Sequence, residues 1–360
     1  MFNEIKIILA RQKKYIYNFD NKYSHSLNIF KSKILSKIKQ IKPDIINLHW
    51  INNELMSIKE ISKIGIPIAW TFNDMWPMCG GEHYSENNRY KFGYDTTKKE
   101  KNESGFDINR FLWSKKKKFW NTKVDHVVCI SNWLKRKASE SYLFRDHNIS
   151  FIPCAIDKSE WKPISKIKAR EILNLPQNKK ILLFMSTNGD KDFRKGFTFI
   201  KSSLENLLTK REDITLIKIG KNSLTNENLN EININKSFNG EPLILRMYYS
   251  AADVLLAPSV LEAFGQVAVE AAACGTPSIG FKNTGLEDTI LHKKTGYLSD
   301  YLDQNDFNKG LEWIIDEYSK NNEYFKNSCL DFISRNFSSE VVSKQYADIY
   351  KKILKNEISK

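Results

Sequence analysis

The chain has 360 residues, 41% hydrophobic and 12% aromatic, enough to build the cores of two ordinary domains and too apolar for a disordered tail. The net charge of +14 is concentrated early: residues 1–43 hold ten Lys or Arg against Glu4 and Asp20. No run approaches the roughly 20 apolar residues of a bilayer span, no signal peptide opens the chain, and five scattered cysteines (Cys79, Cys129, Cys154, Cys274 and Cys329) form no C-x-x-C pair, so a cytoplasmic chain with reduced, mostly buried thiols is expected. From residue 41 onward, short β-branched runs alternate with helical patterns. DIINLHW (44–50) reads as a strand, 53–64 as an amphipathic helix and IPIAWTF (66–72) as a second strand. A polar stretch (79–105) reads as a long loop, 106–122 as a helix, and HVVCIS (126–131) as a strand ending where Ser131-Asn132 can cap a short basic helix. ISFIPC (149–154) closes this half, and AIDKSEWKPIS (155–165) reads as a linker.

The second half begins with a helix (166–174) and the strand KILLFMS (180–186), followed by a helix (195–210) and the strand ITLIKIG (214–220). A strand near 232–238, a helix near 242–251, the strand DVLLAP (253–258), a helix (264–273) and the strand PSIGF (277–281) come next. A short strand near 295–298 and helical patterns over 303–357 complete the chain. Strands alternating with helices imply parallel sheets covered on both faces. At this length the expectation is α/β: two doubly wound, Rossmann-like domains facing a cleft, with ligands beyond the carboxyl ends of the strands. The expected division is 1–160, 161–337 and a final helix, 338–360.

The opening basic segment and the run Lys115 to Lys118, set among Trp113, Phe119 and Trp120, suit three kinds of anionic partner: nucleic acid, an anionic membrane surface or a phosphorylated ligand. A solvated lysine-rich surface is the plainest alternative. No zinc finger or RNP-type motif is present, so no nucleic-acid partner is expected.

The stretch with most chemical content is EAFGQVAVEAAACGTPSIGF (262–281). It follows a strand ended by Pro258 and Ser259; Gly265 opens the next helix, and Gly275-Thr276-Pro277 ends it. The first turn leaves unpaired amides near Phe264, Gly265, Gln266 and Val267 at the positive end of the helix dipole, a ready site for a diphosphate. Glu262 and Glu270 are eight residues apart. On one helix they would stand about 12 Å apart along the axis, too far to share a proton. Two acceptors along one elongated ligand fit that spacing, and so do two surface glutamates beside a packed helix.

PSVLEAFGQVAVEAAACGTPSIG resembles the E-x7-E donor motif of glycosyltransferase family four, retaining enzymes of the GT-B fold. The resemblance implies that Glu262 contacts the transferred sugar and Glu270 the ribose, with the amides of Phe264 to Val267 on donor sugar and phosphates. DKDFRKGFTFI (190–200) is similar to the basic diphosphate loop of these enzymes, which puts Lys195 on the leaving diphosphate with Arg194 as its helper. DKD (190–192) also reads as D-x-D, a metal signature of a different glycosyltransferase fold; GT-B enzymes use Lys, Arg and helix dipoles instead, so no metal or other cofactor is expected. DIINLHWIN, PIAWTFNDMWPMCGGEHYS, RFLWSKKKKFW, VVCISNWLK and FIPCAID resemble the bacterial polysaccharide-assembly branch.

Three departures stand out. The sequence opens at MFNEIKIILARQKKYIYNFD, well inside the family's first domain, so the first strand and its Gly-rich loop are expected to be missing. TFNDMW carries Asn73 where the family usually has His, and Asn cannot carry a proton at neutral pH. The branch often has several cysteines after this motif, whereas here Glu82, Asn88 and Gly93 stand nearby. Asp74, His83 and His49 are the remaining first-domain candidates. The implied function is transfer of a hexose-type sugar, with retention, from a nucleoside-diphosphate sugar to a polysaccharide or lipid-linked acceptor, at the cytoplasmic face of a membrane. A non-catalytic or truncated subunit that binds nucleotide sugar or a partner without turnover is the alternative, and a GT-B epimerase is a third.

Overall fold

The computed structural model describes residues 23–99, 105–120, 124–208, 210–221, 230–238 and 240–358; the opening segment MFNEIKIILARQKKYIYNFD lies outside them. The chain divides into two compact units, one ending at Ile152 and resuming at Lys344, the other running Pro153–Ser343.

In the first unit the elements are α1 (Ile34–Ile41), β1 (Ile46–His49), α2 (Ile58–Ile61), β2 (Ile68–Phe72), α3 (Arg89–Phe92), α4 (Ile108–Trp120), β3 (His126–Cys129), α5 (Asn132–Glu140) and β4 (Ile149–Phe151). The strands pair in parallel in the order β1-β2-β3-β4, with Leu48 opposite Trp70 and Trp70 opposite Val127. Among the described residues this sheet winds in one direction. Every residue of β2 is buried, which is why IAWTF reads as a continuous run rather than an alternation. Trp70 anchors the core, with its ring centroid 5.6 Å from Phe72, 4.9 Å from Trp120 and 6.3 Å from Phe144.

Two expectations need correction here. The helix expected over 53–64 shrinks to α2, because Asn53 and Glu54 take left-handed φ values of 53° and 61°. Glu54 accepts from the amides of Asn28, Ile29 and Phe30 at 2.7, 2.9 and 2.9 Å; Ser57 then starts the helix in a capping box with Glu60. Nor is the run Lys115 to Lys118 a uniform solvated face. Lys116 is fully enclosed and donates to the carbonyls of Trp76, Cys79 (3.0 Å) and Gly80 (2.6 Å), while Lys117 pairs with Asp95 at 2.9 Å. Helical rotation of 100° per residue sends neighbouring lysines to different faces.

The second unit contains α6 (Lys166–Ile172), β5 (Lys180–Met185), α7 (Phe197–Leu208), β6 (Ile214–Ile219), β7 (Glu231–Ile234), α8 (Pro242–Ala251), β8 (Val254–Ala257), α9 (Gln266–Ala273), β9 (Ser278–Phe281), β10 (Gly296–Ser299), α10 (Gln304–Lys320) and α11 (Asn322–Asn336). Its six parallel strands run β10-β9-β8-β5-β6-β7, a doubly wound sheet. Side chains alternate between two cores: Ile181 and Leu183 join Ile217, Leu255 and Ala268 on one face, and Leu182 and Phe184 join Leu216, Leu256 and Phe307 on the other. The helix expected over 195–210 starts later, at Phe197, after two 3-10 turns. The last helix, α12 (Ser339–Ile358), runs from the second unit into the first. There the Tyr350 hydroxyl accepts from Asn47 Nδ2 at 2.7 Å, and that of Tyr346 lies 3.2 Å from Thr71 Oγ1.

Candidate functional site

The strand order of the second sheet reverses between β5 and β8, and the chains leaving the carboxyl ends of those strands part there, which opens a crevice in such sheets. The chain after β5 forms turns at Gly189–Lys191 and Phe193–Lys195, closed by Gly196 at φ 68°. A Cβ on Gly196 would overlap the carbonyl oxygen of Pro258, so only glycine lets this loop lie against the backbone at the end of β8. The Val260 amide donates to the Arg194 carbonyl at 2.8 Å and fastens the two loops. The outcome is a pair: Lys195 Nζ stands 2.6 Å from Glu262 Oε2, and Ser259 Oγ donates to the same oxygen at 3.3 Å. Burial pushes the Glu262 carboxyl up, but Lys195, with the Arg194 charge and the Ser259 hydroxyl behind it, outweighs burial and holds it below the usual carboxylate range.

Gly265 caps α9 at φ 99°; a Cβ there would stand 2.6 Å from Leu286 Cδ2. The amides of Ala268 and Val269 turn back to the Gly265 carbonyl at 2.9 and 3.3 Å. Those of Gln266 and Val267 come too early in the helix for an intrahelical acceptor and project from its positive end. The Phe264 side chain is buried and meets Phe337 edge-on at 6.0 Å, so Phe264 offers the site only its backbone. One turn along, Glu270 accepts from the Tyr249 hydroxyl at 2.8 Å and from Gln266 Nε2 at 3.2 Å. Burial raises the Glu270 carboxyl; Tyr249 and Gln266 pull it back, the Glu160 charge adds to the rise, and the net direction is up.

Lys195, Val267 and Glu270 line one cavity of about 610 Å³, together with Ser186, Trp161 and Phe238. That volume is in the range of small-molecule sites. Ser186 Oγ, buried just past the end of β5, has no hydrogen-bond partner among the described residues. Sequence reasoning missed Tyr249, Ser186 and Trp161. Trp161 lies in the stretch read as a linker, yet it packs on the core with its ring 6.0 Å from that of Tyr249. The one sequence signal was a large aromatic in a polar linker; nothing in YYSAADV marked Tyr249.

Other candidates are occupied elsewhere. Arg194 pairs with Asp192, with Nη2 2.7 Å from Oδ2 and Nε 3.1 Å from Oδ1, and its charge also helps hold the Glu262 carboxyl low. Asp190 faces Lys218 at 3.1 Å; both carboxylates of DKD thus answer cations of the chain. Among the described residues no group of three or more His, Cys, Asp or Glu is placed to hold a metal ion.

Asn73, Asp74 and His83 belong to the first unit. His83 Nδ1 lies 2.7 Å from Asp74 Oδ2 and its Nε2 2.8 Å from Ser26 Oγ. Asp74 also accepts from Trp50 Nε1 at 3.1 Å and from the Trp76 amide at 2.9 Å. This buried chain joins three segments of the unit and consumes both ring nitrogens. Asn73 Oδ1 is buried without a partner among the described residues. His49 has its ring 6.2 Å from that of Tyr346.

Comparison with known proteins returns two family models, one over each half. The model described as Glycosyltransferase Family 4 matches residues 4–160, and the one described as Glycosyl transferases group 1 matches residues 165–329. The chain is 30% identical over 188 residues to a D-inositol 3-phosphate glycosyltransferase of Pseudarthrobacter chlorophenolicus, which covers 47% of this chain and 42% of that protein. The chain therefore spans less than half of that relative's length. Sucrose-phosphate synthase from Thermosynechococcus elongatus superposes with a TM-score of 0.68 at 18% identity, over 90% of this chain and 77% of that one. HepE of Anabaena, solved in complex with UDP and glucose, gives a TM-score of 0.59 at 15% identity, over 89% and 82%. At these identities the two structures establish the fold and nothing finer.

Proposed function

The chain belongs to the family-four type of glycosyltransferase, with the two parallel-sheet α/β domains of the GT-B fold, and on that premise we propose that it moves a hexose-type sugar, with retention, from a nucleoside-diphosphate sugar to a polysaccharide or lipid-linked acceptor. One observation carries the proposal. Lys195 pairs with Glu262 at 2.6 Å beside the first turn of α9, and the same Lys195 lines the cavity that holds Glu270. The free amides of Gln266 and Val267 and the ammonium of Lys195 suit a diphosphate; Glu262, once released from Lys195, suits a sugar hydroxyl, and Glu270 the ribose. HepE, a neighbour in fold, was solved with UDP and glucose, which supports a donor of this class. As the bond from the sugar to the diphosphate oxygen breaks, Lys195 and the amides offset the charge that gathers on the leaving group. The acceptor hydroxyl attacks from the face the diphosphate leaves, and its proton passes to the departing phosphate oxygen.

Neutralisation of the diphosphate is assigned in this scheme to Lys195 and the helix start, without a metal or other cofactor. Peripheral contact with an anionic membrane surface is part of the proposal: Arg110, Phe111 and Lys118 are exposed along α4, next to an exposed Phe106, a mixture that suits the headgroup region. Among the described residues no helix is long and apolar enough to cross a membrane.

The test incubates purified protein with UDP-, GDP-, ADP- and dTDP-sugars and candidate acceptors, and follows transfer or slow donor hydrolysis by mass spectrometry and the product anomer by NMR. Absence of any donor binding defeats the proposal, and an inverted anomer defeats its stereochemical part. A second reading, a subunit that binds donor without turnover, draws on the first unit: His83 and Asp74 are engaged with each other, and Asn73 cannot act as an acid or base at neutral pH. Nucleotide binding without turnover on a competent acceptor would favour it.

A further inference from the structure

Lys218, in the middle of β6, has no exposed surface, although lysine is almost never fully buried without partners. Its ammonium lies 3.1 Å from Asp190 Oδ2 and 3.2 Å from Glu231 Oε2, with the Phe197 ring centroid 4.6 Å away. The partners come from different places. Asp190 sits in the first turn of the β5 loop, five residues before Lys195. Glu231 begins β7, the strand that leads to the cavity-lining residues Lys236, Ser237 and Phe238. Phe197 opens α7 directly behind Gly196. One buried cation therefore touches the roots of two walls of the same cavity: the loop bearing Lys195, and the segment after β7.

We propose that Lys218 is a positioning residue that holds these two walls in register, so that the cavity accepts a nucleoside diphosphate without first reorganising. Lys218 does not touch the ligand. It acts by neutralising two inward carboxylates that would otherwise repel in a poorly solvated place; Glu231 also accepts from Asn233 Nδ2 at 3.0 Å, a neutral donor that leaves its charge in place. The proposal rests on the assignment of the cavity as the nucleotide site.

The experiment compares wild type, Lys218→Met, and Lys218→Met combined with Asp190→Asn and Glu231→Gln. In the triple variant the carboxylates become amides, each both donor and acceptor, which can pair directly. UDP, GDP and ADP are titrated separately by calorimetry, and hydrogen exchange is followed in residues 186–195 and 235–238. Lys218→Met should weaken nucleotide binding by about tenfold or more, a loss typical of breaking a buried charge cluster, and should speed exchange in both segments together. The triple variant should return within about threefold of wild type, as expected when a buried charged set is replaced as a whole. Unchanged affinity in folded Lys218→Met, or faster exchange in only one segment, overturns the proposal. Should Lys218→Met fail to fold, the triple variant decides: a folded protein that still binds weakly overturns it. If wild type binds no nucleotide, the functional assignment falls, while exchange in the two segments still decides whether Lys218 couples them.

Discussion

Replacing Lys195 by Met separates the roles of the pair it forms with Glu262. The side chains are 22% and 14% exposed, so the contact is partly shielded, and removing one member strands a carboxylate that keeps only Ser259 and the more distant Arg194 charge. The expected loss of folding stability is about 1–3 kcal/mol, below the 3–5 kcal/mol of a fully buried pair because both groups retain some solvent. Donor use should fall further: a charge-assisted hydrogen bond is worth about 1.5–3 kcal/mol, or roughly 10- to 150-fold in kcat/KM. In Lys195→Met/Glu262→Gln the stranded charge is gone, so most of the stability should return while activity stays lost. The pH dependence has a definite sign. In wild type the Glu262 carboxyl is held low, so its stabilisation is present above the ordinary carboxylate range and disappears as pH falls through its folded value. In Lys195→Met burial acts with far less opposition and the carboxyl shifts up, so the stability gap to wild type should narrow from pH 7 to pH 4. Urea unfolding across that range, with kcat/KM for the accepted donor at pH 7, gives both readouts. A double variant as active as wild type would refute the reasoning, as would a gap that widens in acid.

Gly196→Ala should destabilise by about 1–2 kcal/mol from its left-handed backbone alone, with more from the overlap at Pro258, and urea midpoints together with nucleotide titration should show stability and affinity falling together. Tyr249→Phe removes the 2.8 Å hydrogen bond to Glu270; a loss of about 1 kcal/mol of stability is expected, along with a higher donor KM at nearly constant kcat in steady-state kinetics. Burial lowers the Lys116 ammonium to about 7. The unfolded chain then binds the extra proton between that value and the ordinary lysine range, so wild type should gain stability relative to Lys116→Met as pH rises from 7 to 10, by at most about 1.4 kcal/mol per pH unit. Denaturant melts of both proteins along that series check the direction, and a difference that shrinks with pH counts against it.

The parts of the fold legible in the sequence are those in which a residue's neighbours in the chain decide its environment. IAWTF and ILLFM are runs dominated by apolar residues, and each forms a strand covered on both faces. Gly265 marked the start of α9 because a helix that begins against Leu286 leaves no room for a side chain. The misreadings share the opposite cause. Residues 53–64 have a helical pattern, but Glu54 spends its carboxylate on amides 24 to 26 positions earlier, a contact no local window contains. Lys116 looked like its neighbours until its rotation on α4 aimed it at three carbonyls. At the candidate site, Glu262, Glu270 and Lys195 were visible because their motif is local, whereas Tyr249 and Trp161 reach the cavity only through packing between distant segments. Arg194 was visible too, and its bidentate partner Asp192 lies only two residues away.

On the proposed reading, the Lys195–Glu262 pair also bears on how a donor would bind. Glu262 and Lys195 satisfy each other, and a diphosphate that drew Lys195 away would leave the shielded Glu262 with only Ser259 and the Arg194 charge, which would offset part of the gain. A ligand that brings a sugar hydroxyl as well supplies Glu262 with a new donor, and the offset vanishes. On that reading the pair should favour the complete nucleotide sugar over the bare nucleoside diphosphate by the difference between a satisfied and a stranded carboxylate, about 1–3 kcal/mol. The same difference should help the spent diphosphate to leave: once the sugar has gone, Lys195 would regain its partner only when the product departs. A salt bridge that looks merely structural would in this way discriminate between donor and product.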